Sequence, residues 1–343
     1  MSGRLTRRLD WSGRASRREF VGVLVAYIVI WLAYALLMRF AAPSMPGLRY
    51  GFFVIALLQV VLVAVLVRRL HDAGRSGGWA WLLFVPVVLI AVLAYAVFAK
   101  PRPNVSGPVP GSAARKLGQV ALGLFVLFVA SRAFWAPYWI PAASMKPNLL
   151  VGDYIVVRHI GAGDARRGDV LVFRHPVLRQ EYIKRLIGLP GDTVQMRDGQ
   201  LWLSGQQVPQ EDAGLFEETK EPQGPSRNVP RCSNDPVGLG ASCIKAFQTE
   251  SLPNGRAHTI LDIDESLADN TPEFTVPEGH YFFMGDNRDN SLDSRFPVQT
   301  GGMGMVPASN VIGRATLVVY STFGTSRFDL SSLRSDRFFK AVE

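Results

Sequence analysis

Two residues in the second half of the chain have side chains of the types that can act as nucleophile and base. Ser144 lies in a turn segment just before Pro147, where its hydroxyl is placed to act as a nucleophile. Lys184 lies in a β-like run, residues 182–187. If Lys184 points inward, burial lowers its pKa and leaves a neutral amine able to take a proton from a serine. Alternation along the run does not settle which face Lys184 takes, so a solvated strand lysine and a simple turn serine stay open as alternatives.

A third polar segment, residues 285–295, follows an apolar run and contains three Asp, two Asn, two Ser and two Arg. A solvated turn is one interpretation. A calcium loop is another, but Asp286, Asp289 and Asp293 do not follow the 1, 3, 5 ligand spacing that ends in Glu at position 12. A loop this dense in hydrogen-bonding groups can instead hold a catalytic lysine and serine in place.

The elements around these segments are short apolar runs separated by turn residues, which predicts strands. Because no long helical period occurs between residues 144 and 320, we expect a mainly β, antiparallel domain over residues 140–325, followed by a C-terminal tail, residues 326–343. Residues 205–277 are polar and are interpreted as an insertion with partial structure. The predicted strands are residues 154–157, 170–173, 193–196, 201–203, 281–284 and 316–320.

The first half of the chain is built differently. Residues 1–116 carry 15 Lys and Arg against 3 Asp and Glu, whereas the remaining residues carry 22 and 25. Three uncharged stretches, residues 20–38, 50–67 and 79–99, are long enough to cross a bilayer. We expect residues 1–100 to form an α-helical membrane module and residues 101–116, rich in Pro, Gly and Ser, to form a linker. A fourth apolar stretch with an aromatic end predicts a transmembrane anchor over residues 117–139.

The positive-inside rule gives two conflicting orientations. Six arginines before the first stretch favour a cytoplasmic N-terminus, and four crossings would then return the second half to the cytoplasm. Basic residues before the fourth stretch and aromatic residues after it favour a crossing from the cytoplasm to the exterior. Either the number of crossings is odd or the N-terminus lies outside, and the sequence leaves both open.

The three polar segments, in this order, resemble type I signal peptidases, the membrane-bound Ser/Lys endopeptidases that remove signal peptides from exported proteins. Residues 152–157, 167–173 and 313–315 match further blocks of this family, so the resemblance covers about residues 139–320. It implies antiparallel β-sheets of the signal peptidase type, and cleavage after a small-x-small site such as A-x-A.

The resemblance also implies residue roles. Ser144 matches the nucleophile, Lys184 the general base and Ser291 the serine that helps to orient the lysine. The residues that match supporting positions are Asp286, Asp293, Arg295 and Arg185. Ala142 departs from the pattern, because many Gram-negative members have a serine there whose hydroxyl helps to hold the oxyanion. Oxyanion stabilisation would then depend on backbone N–H groups.

The resemblance further implies the setting of the enzyme. No cofactor and no metal are expected, the partners are exported preproteins and the lipid bilayer, and the catalytic unit is expected to be monomeric. The expected location is the bacterial inner membrane, multi-pass, with the catalytic domain facing the periplasm. Nucleic acid is not an expected partner, because the basic excess lies at membrane edges. Cys232 and Cys243 would form a disulfide in that oxidising compartment, with free thiols as the alternative.

The N-terminal module has a resemblance of its own. Residues 11–20 and 68–77 are similar to blocks of a family of small bacterial inner-membrane proteins of unknown function, and the similarity covers about residues 8–100. It implies a location and no activity.

Two other functions remain open at this point: a Ser/Lys protease dedicated to one substrate, and an inactive membrane scaffold. Penicillin-binding enzymes are not favoured, because Pro147 occupies the lysine position of their S-x-x-K motif.

Overall fold

A computed structural model describes residues 13–40, 51–77, 79–80, 86–101, 123, 127–128, 130–224, 226–323 and 332–342. The chain divides into two compact units, Met1–Ala133 and Phe134–Glu343. Nearly all of the predicted linker, residues 101–116, and much of the fourth apolar stretch, residues 117–132, lie outside the described residues.

The first unit is helical. Its three α-helices are α1 (Arg17–Phe40), α2 (Gly51–Asp72) and α3 (Pro86–Phe98). Helices α1 and α2 largely coincide with the first two uncharged stretches, since long apolar runs favour helix, whereas α3 lies inside the third stretch and begins at Pro86. Phe20, Leu66 and Val92, one from each helix, are buried in a shared apolar core.

Helix α1 has the properties of a membrane span. Within the described residues, Arg17–Leu37 is the one segment long and apolar enough to cross a bilayer, with a hydropathy of 2.5. Val25, Val29, Leu32 and Leu36 on this helix are each more than half exposed, which in water would be a large apolar patch. The structure thus supports one crossing, and the multi-pass arrangement expected from the sequence stays a proposal.

Arg69 shows how the first unit uses one of its juxtamembrane arginines. Its side chain is fully buried, pairs with Asp72, and donates hydrogen bonds to the carbonyl oxygens of Ala96, at 2.9 Å, and Ala99. These carbonyls end α3, where a cation complements the helix dipole. Arg69 therefore holds two helices together and is not exposed to lipid headgroups.

The second unit is built almost entirely from strands, which confirms the predicted mainly antiparallel β domain. All pairings between its named strands are antiparallel. The strands are β1 (Trp135–Trp139), β2 (Asp153–His159), β3 (Val170–Arg174), β4 (Glu181–Gly188), β5 (Thr193–Arg197), β6 (Gln200–Leu203), β7 (Gln206–Gln207), β8 (Gln210–Thr219), β9 (Ser242–Ser251), β10 (Ala257–Asp262), β11 (Phe274–Thr275), β12 (His280–Met284), β13 (Val306–Pro307), β14 (Val311–Ser321) and β15 (Lys340–Ala341).

Three sheets organise these strands. The largest has the order β1-β2-β14-β3-β4-β12-β13, with β15 added beside β14, and the second has the order β11-β5-β6-β7. The third has the order β10-β9-β8. Short 3₁₀ helices connect the strands. They are Ala143–Met145, Ala162–Asp164, Arg288–Asn290, Val298–Thr300, Ala308–Asn310 and Ser335–Arg337.

The insertion, residues 205–277, is more regular than its sequence suggests. It contains the whole β10-β9-β8 sheet, although its sequence is poor in β pattern. The physical reason is exposure: most side chains of β8 face solvent, so the strand carries few apolar residues and shows no alternation. We refer to this sheet, β8 to β10, as the insertion sheet.

The predicted anchor, residues 117–139, differs from the structure at its C-terminal end. Residues 135–139 are strand β1, paired along its whole length with β2. Aromatic residues favour strands as well as membrane interfaces, so the composition of this segment fits both interpretations. Residues 135–139 therefore belong to the largest sheet of the second unit.

The two cysteines of the insertion form a disulfide, Cys232–Cys243, and Cys243 lies opposite Glu218 in the ladder of β8 and β9. The bridge closes a loop with a sequence separation of 11.

We expect the Cys232→Ala/Cys243→Ala variant to lose about 2–3 kcal/mol of unfolding free energy, because the open loop gains entropy when unfolded. Urea denaturation measures this loss. A reductant should lower the unfolding free energy of the wild type by the same amount and leave that of the variant unchanged. Equal stability of variant and wild type without reductant would contradict the prediction.

Candidate active site

Ser144 lies in the 3₁₀ helix Ala143–Met145, which follows β1 after a short extended segment. Met145 is fully buried in the core beside Ile140 and Leu149, which fixes this turn against the largest sheet. Ser144 itself is only partly buried. Its amide N–H is in the first turn of the helix, where N–H groups have no partner within the helix. Ser144 therefore offers two groups at one position: its side-chain hydroxyl and a backbone N–H that the helix itself does not use.

Lys184 is on β4, opposite Leu171 of β3, and only 3% of it is exposed. Its Nζ donates a hydrogen bond to Oγ of Ser144, so the structure brings the two predicted residues together. Burial lowers the pKa of Lys184 to about 8, although the charges of Asp293 and Asp286 raise it. Lys184 therefore points inward, and its neutral amine form is populated near physiological pH.

Asp286 is paired with Arg185, the residue next to Lys184. Nε and an Nη of Arg185 donate to the two carboxylate oxygens at 2.7 and 2.8 Å, and both side chains are almost completely buried. The other Nη donates to the carbonyl of Gly168 at 2.8 Å. A bidentate pair of this kind fixes geometry as well as charge. It ties β4 to the loop that follows β12.

Asp293 and Arg295 form a second buried pair, with Nε and Nη of Arg295 each 2.9 Å from a carboxylate oxygen. Asp293 also accepts the backbone N–H of Gly285 at 3.0 Å. Burial raises the pKa of Asp293, but the Arg295 guanidinium outweighs burial and the net pKa is below its usual range. The carboxylate is therefore ionised beside Lys184. Arg295 also donates to the carbonyl of Arg288 at 2.6 Å, which closes the loop on itself.

Ser291 is buried and borders the same cavity as Ser144 and Lys184. The resemblance implies that it orients the lysine. Within the described residues, however, its Oγ has no hydrogen-bond partner. Gly285 packs directly against it: a Cβ added at Gly285 would lie 2.2 Å from Oγ of Ser291 and 2.6 Å from the carbonyl oxygen of Ser144. Only glycine fits this position.

Asn287 and Asn148 hold the site together, and sequence reasoning did not identify either in this role. Asn287 donates its backbone N–H to the Ser144 carbonyl at 3.1 Å and its side-chain amide to the Ala143 carbonyl at 3.0 Å. Asn148 donates to Asp286 at 2.8 Å and to the Thr259 carbonyl at 2.7 Å. The signal for Asn287 was its place inside the polar loop. No sequence signal identified Asn148, because its partners are distant in sequence.

A cavity of about 490 Å³ opens beside Ser144 and Lys184. Ser144, Tyr182 and Lys184 form one part of its lining, and residues 266–268 of the insertion form another. Residues 288–292, Phe296 and Gly301 complete it. A hydroxyl hydrogen-bonded to a buried lysine at the edge of such a cavity can carry out acyl transfer. No group of three or more His, Cys, Asp or Glu side chains within the described ranges is arranged to hold a metal ion.

Comparison with known proteins decides the family. The family model described as signal peptidase, peptidase S26, matches residues 114–320, which is more than half of the chain. The chain belongs to the signal peptidase family. It is accordingly an enzyme of the signal peptidase I class, a serine peptidase that removes signal peptides.

Two bacterial relatives agree with this membership. A signal peptidase I of Pseudomonas aeruginosa is 36% identical over 217 residues, 57% of this chain and 68% of the relative. One of Rickettsia typhi is 32% identical over 217 residues, 54% of this chain and 72% of the relative. A solved signal peptidase I structure from Enterococcus faecalis V583 is 30% identical and covers 44% of this chain and 95% of that one, with a TM-score of 0.24. Residues 8–108 match a second family model, a protein of unknown function named DUF805.

Proposed function

We propose that the chain is a membrane-bound endopeptidase that cleaves exported preproteins after a small-x-small site, with Ser144 as nucleophile and Lys184 as general base. The observation that carries the proposal is the hydrogen bond from Nζ of the buried Lys184 to Oγ of Ser144. A buried lysine with a lowered pKa can remain neutral and accept a proton, which a solvated lysine cannot do at neutral pH.

The first half of the reaction forms an acyl-enzyme. Neutral Lys184 takes the proton of Ser144, and Oγ attacks the carbonyl carbon of the small residue before the cleavage site. The tetrahedral intermediate then collapses, the C–N bond breaks, and the ammonium of Lys184 returns the proton to the departing amine. The mature protein leaves with a new N-terminus.

The second half releases the signal peptide. Neutral Lys184 now takes a proton from water, the hydroxide attacks the ester carbonyl, and Ser144 recovers its proton as the ester bond breaks. Both tetrahedral intermediates carry an oxyanion. Since Ala142 supplies no hydroxyl, the backbone N–H of Ser144 is the proposed donor to it. A positioned N–H at this point stabilises charge only as it develops.

The free edge of β4 supports an extended substrate. Strand β12 pairs with β4 at Arg185, Leu186 and Gly188, while among the described strands residues 181–184 pair with β3 alone. Tyr182 at this edge borders the cavity beside Ser144. A peptide that adds along the edge would present alternate side chains to the same surface, which suits a small-x-small pattern.

The proposed location is the bacterial inner membrane, with the catalytic unit on the periplasmic side. Helix α1 provides one span, and its arginine-rich N-terminal flank favours the cytoplasm for that end. We propose that two of the other apolar stretches, at residues 50–67, 79–99 and 117–132, also cross and that one enters the bilayer without crossing, because an odd number of crossings from a cytoplasmic N-terminus places the second unit in the periplasm. The partners are exported preproteins and the lipid bilayer, and one catalytic unit suffices for the chemistry because the dyad lies within one chain.

The pH dependence follows from the pKa of Lys184. Because the neutral amine is the active form, we expect kcat/KM to rise about tenfold per pH unit on the acidic side and to level off above about pH 8. Initial cleavage rates of a preprotein peptide between pH 5.5 and 9.5 measure this profile. A rate that is flat or falls between pH 6 and 8 would contradict a lysine base.

The decisive test uses the full chain in detergent. Wild type and Ser144→Ala are each incubated with a preprotein that carries an A-x-A site, and the N-terminus of the product is determined by mass spectrometry. Cleavage after A-x-A by the wild type alone supports the proposal. Cleavage at another sequence would point to a protease dedicated to a different substrate, and cleavage by Ser144→Ala would remove Ser144 from the mechanism.

A further inference from the structure

Lys146 has an unusual environment for a lysine two residues from a nucleophile. It is 2% exposed, although the turn that contains it lies at the edge of the active site. Its Nζ donates to a carboxylate oxygen of Glu218 and, at 2.8 Å, to Oε1 of Gln223. Both partners belong to the insertion, which is more than 70 residues away in sequence.

Glu218 is the centre of this cluster. Its Oε1 accepts from Lys245, which is 1% exposed, and its Oε2 accepts from Lys146. The side-chain amide of Gln223 donates to Oε2 as well, at 2.8 Å. Each carboxylate oxygen thus holds one buried lysine. Glu218 and Lys245 are on adjacent strands of the insertion sheet, β8 and β9.

Stability alone does not explain such a cluster. Two buried ammonium groups share one carboxylate, and burial lowers the pKa of Lys146 to about 8 although Glu218 raises it. Apolar residues of the same volume usually serve a buried site at least as well as ion pairs do. A buried ion pair does fix the position of a side chain, because the ammonium group must stay next to its acceptors.

Through its contacts with Glu218 and Gln223, Lys146 fixes the turn of residues 143–146, which we call the nucleophile turn. The backbone N–H of Lys146 donates to the Ala143 carbonyl at 3.1 Å and closes the turn around Ser144. Asn287 holds the Ala143 and Ser144 carbonyls from the other side. The turn is therefore clamped between the loop after β12 and the insertion sheet, and Lys146 supplies the second clamp.

The geometry points to Lys146 as a positioning residue, which aims Oγ of Ser144 at Lys184 through the contacts of its ammonium group with Glu218 and Gln223. Lys146 does not border the cavity beside the dyad, so it acts through the turn and not on the substrate. This inference rests on the proposed function of Ser144 as nucleophile. On this inference, the insertion positions Oγ of Ser144 relative to Lys184.

The test compares Lys146→Met with a matched control, Lys245→Met, in the full chain. Both variants remove a buried ammonium group from Glu218, but only Lys146 belongs to the nucleophile turn. We expect Lys146→Met to lower kcat about 10- to 100-fold, because misplacement of a reacting atom by about 1 Å has an effect of that order. KM should stay within about twofold for both variants, and Lys245→Met should keep wild-type kcat.

A second readout is independent of peptide binding. The rate at which a small activated ester acylates Ser144, followed by intact mass spectrometry, should fall in Lys146→Met by the same factor as kcat. Unchanged kcat in Lys146→Met, an equal fall in both lysine variants, or a change confined to KM would each overturn the inference. If wild type fails to cleave the preprotein, the proposed function fails, while the acylation rates still decide whether Lys146 positions Ser144.

Thermal melting identifies variants that do not fold. If Lys146→Met is one of them, Gln223→Met takes its place, since it removes one acceptor of Lys146 and leaves the charges of the cluster unchanged. We expect it to lower kcat and the acylation rate about threefold or more, the effect of losing one hydrogen bond. Wild-type values of both in folded Gln223→Met would overturn the inference.

Discussion

Replacement of Lys184 by methionine is expected to lower kcat/KM by a factor of about 10⁴ or more, because the proton of Ser144 then has no acceptor. Methionine has a similar length, tolerates burial and leaves no unpaired charge in the space that the lysine occupies. The loss should therefore appear in kcat, with a folded protein. Initial rates of preprotein cleavage at pH 8.5 measure it.

Lys245→Met is the matched control for this variant, because Lys245 is also almost completely buried in the second unit and also makes a hydrogen bond to another side chain. It should keep wild-type activity. If Lys184→Met keeps more than about a hundredth of the wild-type rate, lysine is not the general base. If both variants lose activity together, the loss reflects damage to the fold.

Gly285→Ala is expected to lower kcat at least about 100-fold through steric conflict alone. The added Cβ would lie 2.5 Å from Cβ of Ser291 and 2.6 Å from the carbonyl oxygen of Ser144, and no side-chain rotation relieves the second contact. The turn of Ser144 must therefore move away from Lys184. Cleavage kinetics with a preprotein substrate measure the loss.

Gly238→Ala is the control for this substitution, because a Cβ added at Gly238 meets no atom within 4 Å. This variant should match the wild type in kcat and in melting temperature. Gly285→Ala that folds and cleaves at the wild-type rate would show that the packing of Ser144 against Gly285 is not needed for catalysis.

Much of the fold could be predicted from local sequence pattern. The apolar runs at residues 154–157, 170–173 and 281–284 are strands β2, β3 and β12, because a buried strand needs apolar side chains whatever its neighbours are. β8 and β1 could not be predicted in this way. β8 is exposed and polar, and β1 has the aromatic composition of a membrane interface.

The residues of the site likewise include some that local sequence identified and some that needed the structure. Residue type and chain order identified Ser144, Lys184 and the loop of Asp286 and Asp293 as the places where chemistry could occur. The buried pairs that hold this loop, to Arg185 and Arg295, were assigned only as supporting positions through resemblance, and their geometry required the structure.

The sequence by itself determined the strands with apolar runs, the apolar helices of the first unit and the residue types available for acyl transfer. These features depend on side chains within a few positions of each other. The tertiary structure alone decided that Lys184 points inward, because residues 184–188 are all buried and alternation disappears. It also decided that Lys146 reaches Glu218, since that contact joins segments 72 residues apart that meet only when the insertion sheet packs against the nucleophile turn.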